Sequence, residues 1–94
     1  MSRIIHPGQA GTIESNDILI TVMPSDAGSG ISIEINSPVI KQYGAQIRQV
    51  IVETLTSSEI EDANIHVTDR GALNCTIRAR LRTAILRAGT EGGN

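Results

Sequence analysis

The hydrophobic patterning of this chain predicts an α+β fold, a two-layer sandwich with two helices on one face of a small, mostly antiparallel sheet. Three observations carry that prediction. Ile31, Ile33 and Ile35 alternate with Ser32, Glu34 and Asn36, the two-residue period of a strand with one buried face. Val39, Ile40, Tyr43, Ile47, Val50, Ile51 and Thr54 recur at helical spacing, with Lys41, Arg48 and Glu53 off that face. Leu73, Ile77, Leu81, Ala84, Ile85 and Ala88 make a second helical stripe. One-sided strands and striped helices must bury against each other, and a helix layer on a sheet does that.

The elements follow in order. Residues 1–9 read as a flexible arm. Strands over 10–15 and 18–23 flank Asn16-Asp17, a turn pair whose side chains bond nearby backbone and tolerate the left-handed region. A loop through Pro24 and Gly30 leads to the isoleucine strand at 31–36. Ser37-Pro38 then opens a helix, with serine as its cap and proline in the first turn. Gly44 interrupts that helix at about 1 kcal/mol relative to alanine, which a close approach to the sheet would explain. A short strand over 63–68 points Ile65 and Val67 inward. Asp69-Arg70-Gly71 turns the chain into a helix over 72–88, although Leu73, Cys75 and Ile77 also alternate and could prolong a strand. Residues 89–94, rich in glycine, read as a frayed tail. There is no internal repeat, and 1–94 reads as a single domain.

Composition narrows the function. A chain of 94 residues buries roughly 60–65% of its unfolded surface, enough for one thin core and not for a deep catalytic cleft. Tyr43 is the only aromatic residue and the net charge is −2, so neither base-stacking platforms nor phosphate attraction favour nucleic-acid binding. The single cysteine, Cys75, excludes an internal disulfide and a cysteine-based metal framework. No secretory signal is visible, and no apolar run approaches the roughly 20 residues of a membrane span. A soluble cytoplasmic protein without membrane contact is expected.

Ser15 is the candidate site. It lies in Ala10-Gly11-Thr12-Ile13-Glu14-Ser15-Asn16-Asp17, at the shoulder of the expected hairpin, where another enzyme could reach its hydroxyl. That octapeptide resembles the attachment segment of the acyl carrier (gamma chain) family of citrate lyase. The likeness continues through Lys41-Gln42-Tyr43-Gly44, Asp69-Arg70-Gly71-Ala72-Leu73-Asn74-Cys75 and Arg78-Ala79-Arg80-Leu81, in the family's order, from about Gly8 to Ala88. Arg70 and Asn74 stand where the family has lysine and aspartate.

The resemblance implies a non-catalytic carrier. Ser15 would bear, through a phosphodiester on its oxygen, 2'-(5''-phosphoribosyl)-3'-dephospho-CoA, attached by a holo-carrier synthase. The thiol of that group would carry acetyl and citryl thioesters between the alpha subunit, an acyl transferase, and the beta subunit, a citryl-carrier lyase. Two alternatives stay open: the carrier of citramalate lyase or malonate decarboxylase, and an interaction module with no covalent group. Fatty-acid carriers fit poorly, because their Asp-Ser-Leu site opening a helix is missing here.

Other residues have bland and functional readings side by side. Glu14 and Asp17 form an ordinary solvated turn, or steer docking onto basic partners. His6 and His66 lack the orienting third group that a serine hydrolase needs, and two scattered histidines fall short of a metal site. Cys75, Ala79 and Leu86 lie opposite the core stripe of the last helix, as scattered surface residues or as a strip for a partner subunit. Arg78, Arg80, Arg82 and Arg87 complement the negative end of that helix by a few tenths of a kcal/mol each.

Overall fold

The computed structural model describes residues 2–91. Six strands and two helices follow in order: β1 (Ser2–Ile4), β2 (Gly8–Gly11), β3 (Ile18–Met23), β4 (Ile31–Asn36), α1 (Ile40–Ser57), β5 (Ile60–Asp69), α2 (Asn74–Ala88) and β6 (Thr90–Glu91). The α+β sandwich with two helices on a small sheet is present. Its spine is β5, longer than the sequence predicted. β3 runs antiparallel to it, with Ile18 opposite Asp69 and Met23 opposite Asn64. β4 runs parallel, with Ile31 opposite Ala63 and Asn36 opposite Thr68. β1 joins the start of β5 in parallel, and β2 and β6 extend β3 and β1 as antiparallel edges. The sheet is therefore mixed: of five ladders among the described residues, three are antiparallel.

The core is aliphatic throughout. Ile18, Ile20 and Val22 from β3 and Ile65 and Val67 from β5 face Ile47, Ile51 and Leu55 of α1 and Ile77, Leu81 and Ala84 of α2. α2 lies on β2 and β3, α1 on β4 and β5, and the helices touch each other. Such burial is worth about 1.5–3 kcal/mol per large side chain. β4 is less covered than its pattern implied, with Ile31 exposed and Ile33 and Ile35 half-buried. Arg48 donates to the Ile33 carbonyl at 3.3 Å, which blunts this outer strand's edge.

Both ends are corrected. The expected arm holds two strands, because Ile4 is buried and Gly8 lets α2 come down directly on the backbone. A methyl group on Gly8 would strike the Ala84 carbonyl and the Ala88 amide. The expected tail turns back at Gly89, whose φ is 75°, so that Thr90 and Glu91 pair with β1. The rest of that tail lies outside the described residues.

Two details of α1 also differ. It starts at Ile40, and Ser37 does not cap it: the Ser37 hydroxyl accepts from Val39 N–H and donates 2.9 Å to the buried Asp69 carboxylate. Gly44 does not approach the sheet. A side chain there would meet only Cδ1 and Cγ1 of Ile40, the outer end of a flexible and half-exposed residue.

Candidate functional site

Strand β2 stops at Gly11, whose φ of 100° sends the chain into a six-residue connection, Thr12 to Asp17, before β3 begins. The first predicted strand is thus shifted toward the N-terminus, and Ile13, expected on a strand, is 58% exposed on the loop. Glu14 to Asp17 form a tight turn closed by Asp17 N–H on the Glu14 carbonyl at 3.2 Å. Asn16 takes the left-handed conformation, φ 65°, that its short polar side chain tolerates.

The base of this loop is fixed. Asp17 accepts from the Thr12 hydroxyl at 2.7 Å and from the Ile18 amide at 2.7 Å. Arg80 grips the same carboxylate with two nitrogens, Nε at 3.1 Å and Nη2 at 3.0 Å, in the planar fork that guanidinium makes with carboxylate. The Thr12 hydrogen bond first, then Arg80 and the Ile18 amide, hold the Asp17 carboxyl down at about 2. The Asn16 amide donates to the Arg70 carbonyl at 2.8 Å, and the Arg70 amide donates to the Asp17 carbonyl at 2.9 Å. The loop is thereby stitched to the end of β5.

Ser15 stands on the outside of this frame. Its side chain is exposed, and among the described residues it makes no hydrogen bond. Glu14 beside it is exposed as well. The pairing of Glu14 and Asp17 as two free docking charges does not hold, because Asp17 is turned inward onto Arg80. Arg80, for the same reason, is no free cation of the last helix, and Arg87 donates to the Gln9 carbonyl at 2.9 Å.

The remaining candidates lie elsewhere. His66 sits on the outer face of β5 against Glu34 at 2.9 Å, four residues from Arg70, which is about 13 Å of strand rise. His6 packs beside Gly89, nine residues past Arg80, again about 13 Å by helix rise. The structure brings neither to Ser15. Among the described residues no group of three or more His, Cys, Asp or Glu could hold a metal ion. No helix among them is long and apolar enough to cross a membrane. Cys75, Ala79 and Leu86 are exposed opposite the core stripe of α2. A cavity of about 590 Å³ beside Arg3, Gly30 and Asp62 is at the other end of β5 from Ser15.

Sequence reasoning missed three supporting residues. Thr12, Arg80 and Asp69 fix the loop and the entries of both helices, Asp69 by accepting from Ser37 and from the Ala72 amide at 3.0 Å. Asp17 and Arg80 are 63 positions apart, and no local pattern links them.

The acyl carrier family profile described as malonate decarboxylase delta subunit (MdcD) matches residues 5–88. The citrate lyase acyl carrier protein of Pectobacterium carotovorum subsp. carotovorum is 47% identical over 90 residues, 96% of this chain and 91% of that one. The protein of the same name from Lacticaseibacillus casei is 51% identical over 85 residues, 90% of this chain and 82% of that one. In fold, the chain is similar to one in the crystal structure of a Pseudomonas malonate decarboxylase hetero-tetramer, with a TM-score of 0.70 and 21% identity, covering 95% and 97% of the two chains.

Proposed function

This chain belongs to the family of citrate lyase acyl carrier proteins, within the acyl carrier profile described as malonate decarboxylase delta subunit, and from that membership we propose that it is the carrier subunit of citrate lyase, loaded at Ser15. It works as a carrier and leaves the chemistry to its partners. The observation that supports Ser15 is an exposed hydroxyl with no partner among the described residues, raised on a loop whose base is locked by Asp17 and Arg80. The attached group, 2'-(5''-phosphoribosyl)-3'-dephospho-CoA, supplies a terminal thiol on which acetyl and citryl groups travel as thioesters.

The chain's own residues have a modest task. Ser15 offers an oxygen that a holo-carrier synthase can enclose and esterify, and needs no base from the carrier. Asp17, neutralised by Arg80, leaves Glu14 as the one free carboxylate flanking the phosphodiester. Tethering cargo to a convex loop keeps it near the alpha and beta subunits at a local concentration on the order of millimolar. A cytoplasmic setting, with Cys75 reduced and exposed, belongs to the same proposal.

Co-expression with the synthase followed by intact-mass measurement tests this. The wild-type chain is expected to gain the mass of the prosthetic group, and Ser15→Ala to gain nothing while keeping its fold. A mass gain on the alanine variant would place the attachment elsewhere. The second reading, a malonate decarboxylase carrier, is favoured by the family description and by the structural neighbour. Reconstitution of the loaded chain with each set of catalytic subunits separates the two, by citrate cleavage or by malonate decarboxylation.

A further inference from the structure

The helical stripe of α1 is buried from Ile47 onward, but its first turn is not. Val39 is half-buried, and Ile40 and Tyr43 are 40% and 45% exposed. Facing Val39 and Tyr43 in one groove stands Leu73, 70% exposed at the entry of α2. Between these walls lies a groove of about 450 Å³ floored by Ile47 and Ile77. Small-molecule sites run from roughly 300 to 1,000 Å³ and are mostly apolar with a few polar groups. The polar group here is the Gln46–Asn74 pair, where the Gln46 amide donates to Asn74 Oδ1 at 3.3 Å across the rim.

The groove adjoins the Ser15 loop. Its wall includes Gly71, and the Asn16 amide is bonded to the carbonyl of Arg70, the residue before. The Ser15 loop is thus tied to the segment that walls this opening. We propose that the groove is a seat for the adenine base of the nucleotide tethered at Ser15, held between Tyr43 and Leu73, while the thiol end stays free to travel. This rests on the reading of Ser15 as the attachment site.

Three further features fit that occupant. Tyr43 is the only aromatic side chain in the protein, and it stands at the mouth of an otherwise aliphatic groove. A purine stacks on an aromatic face without needing a matched hydrogen-bond pattern. The charge is also complementary. Val39 and Leu73, the residues preceding α1 and α2, both line the groove, so two positive helix ends converge there with no acidic residue in either first turn. Arg70 is exposed beside them and has no carboxylate partner among the described residues. The phosphates flanking the adenosine would lie in that field. Affinity need not be high, because a tethered ligand is already at a local concentration on the order of millimolar.

Tyr43 makes the test direct, since all intrinsic emission of the protein comes from it. Fully loaded wild-type protein, verified by mass, is compared with the unloaded chain. Stacking preferences of about five-fold or more predict a Tyr43 emission at least about three-fold weaker in the loaded protein. Leu73→Ser should restore much of that emission without changing the mass gain. Amide shifts in the loaded Tyr43→Ala chain give a second readout: the differences from its unloaded form should shrink at Gln46 and Asn74 relative to wild type and persist around Ser15. Equal emission from loaded and unloaded chains overturns the groove assignment while leaving Ser15 as the attachment site. A signal that moves only when the catalytic subunits are added also overturns it and gives the groove to a partner. A chain that gains no mass overturns both the attachment and the seat.

Discussion

At Ser15 what matters is what the side chain lacks. A hydroxyl bonded to its own backbone, the ordinary fate of serine in a turn, would have to break that bond before an enzyme could esterify it. Here the neighbours take those bonds instead: Thr12 and Ile18 go to Asp17, and Asn16 goes to Arg70. Arg80 is the keystone, because its two parallel bonds fix the plane of the carboxylate. Arg80→Ala is expected to quicken amide exchange at Asn16 and Ile18 on the order of ten-fold, with far smaller effect in the β5 core, as loss of charge-assisted hydrogen bonds at a local site predicts. Arg80→Lys should recover only part, since an ammonium cannot reproduce the fork. Unchanged exchange at both amides in Arg80→Ala would show that the turn holds itself.

Two glycines separate the elements whose packing the sequence showed from those it hid. Gly44, in the helix with the clearer pattern, has only the movable tip of Ile40 above it, so Gly44→Ala should raise stability by about 1 kcal/mol through helix propensity. Gly8 lies under backbone atoms of α2, so Gly8→Ala should lower stability by about 1–3 kcal/mol through overpacking. Urea midpoints of the two variants moving the same way would refute the contrast. The periodic elements were legible: β3, β4 and both helices appear within a few residues of where alternation and helical spacing put them. β1 and the start of β2 were not, because Ser-Arg-Ile and Gly-Gln-Ala-Gly are too short and too small to show a period. The place of β2 is set by α2, through Ala84 and Ala88 closing on Gly8, and that of β1 by its pairing with β5 and β6, all contacts across the chain. That Ser15 stands exposed beside a turn was legible from the Asn16-Asp17 pair, whereas the groove near its loop was not. Val39, Ile40 and Tyr43 continue the stripe of α1 without a break, and only the extent of the sheet beneath decides where burial stops.

Across the whole molecule, β5 carries the two loops that the fold must hold, one at each end. Near its start, Asp62 accepts from the Gly30 amide at 2.7 Å and from Gly28, and these bonds hold its carboxyl below the ordinary carboxylate range. Beyond its other end, Asp17 is held at about 2 by Thr12, Arg80 and Ile18. In both cases the folded chain binds protons less readily than the unfolded one, so acid favours unfolding. The stabilisation is complete above the unfolded carboxylate value, near 3.8, and drains away as pH falls below it, for Asp17 toward about 2. These two groups therefore predict a urea midpoint with little dependence on pH from about 7 to 5 and a decline below about 4. Arg80→Ala should make that decline shallower, since Asp17 then titrates closer to its unfolded value, and Asp62→Asn should do so independently because the sites sit at opposite ends of a ten-residue strand. A midpoint that falls as steeply in the double variant as in the wild type would mean that other carboxylates govern acid unfolding, and that the two loops are not secured by these charges.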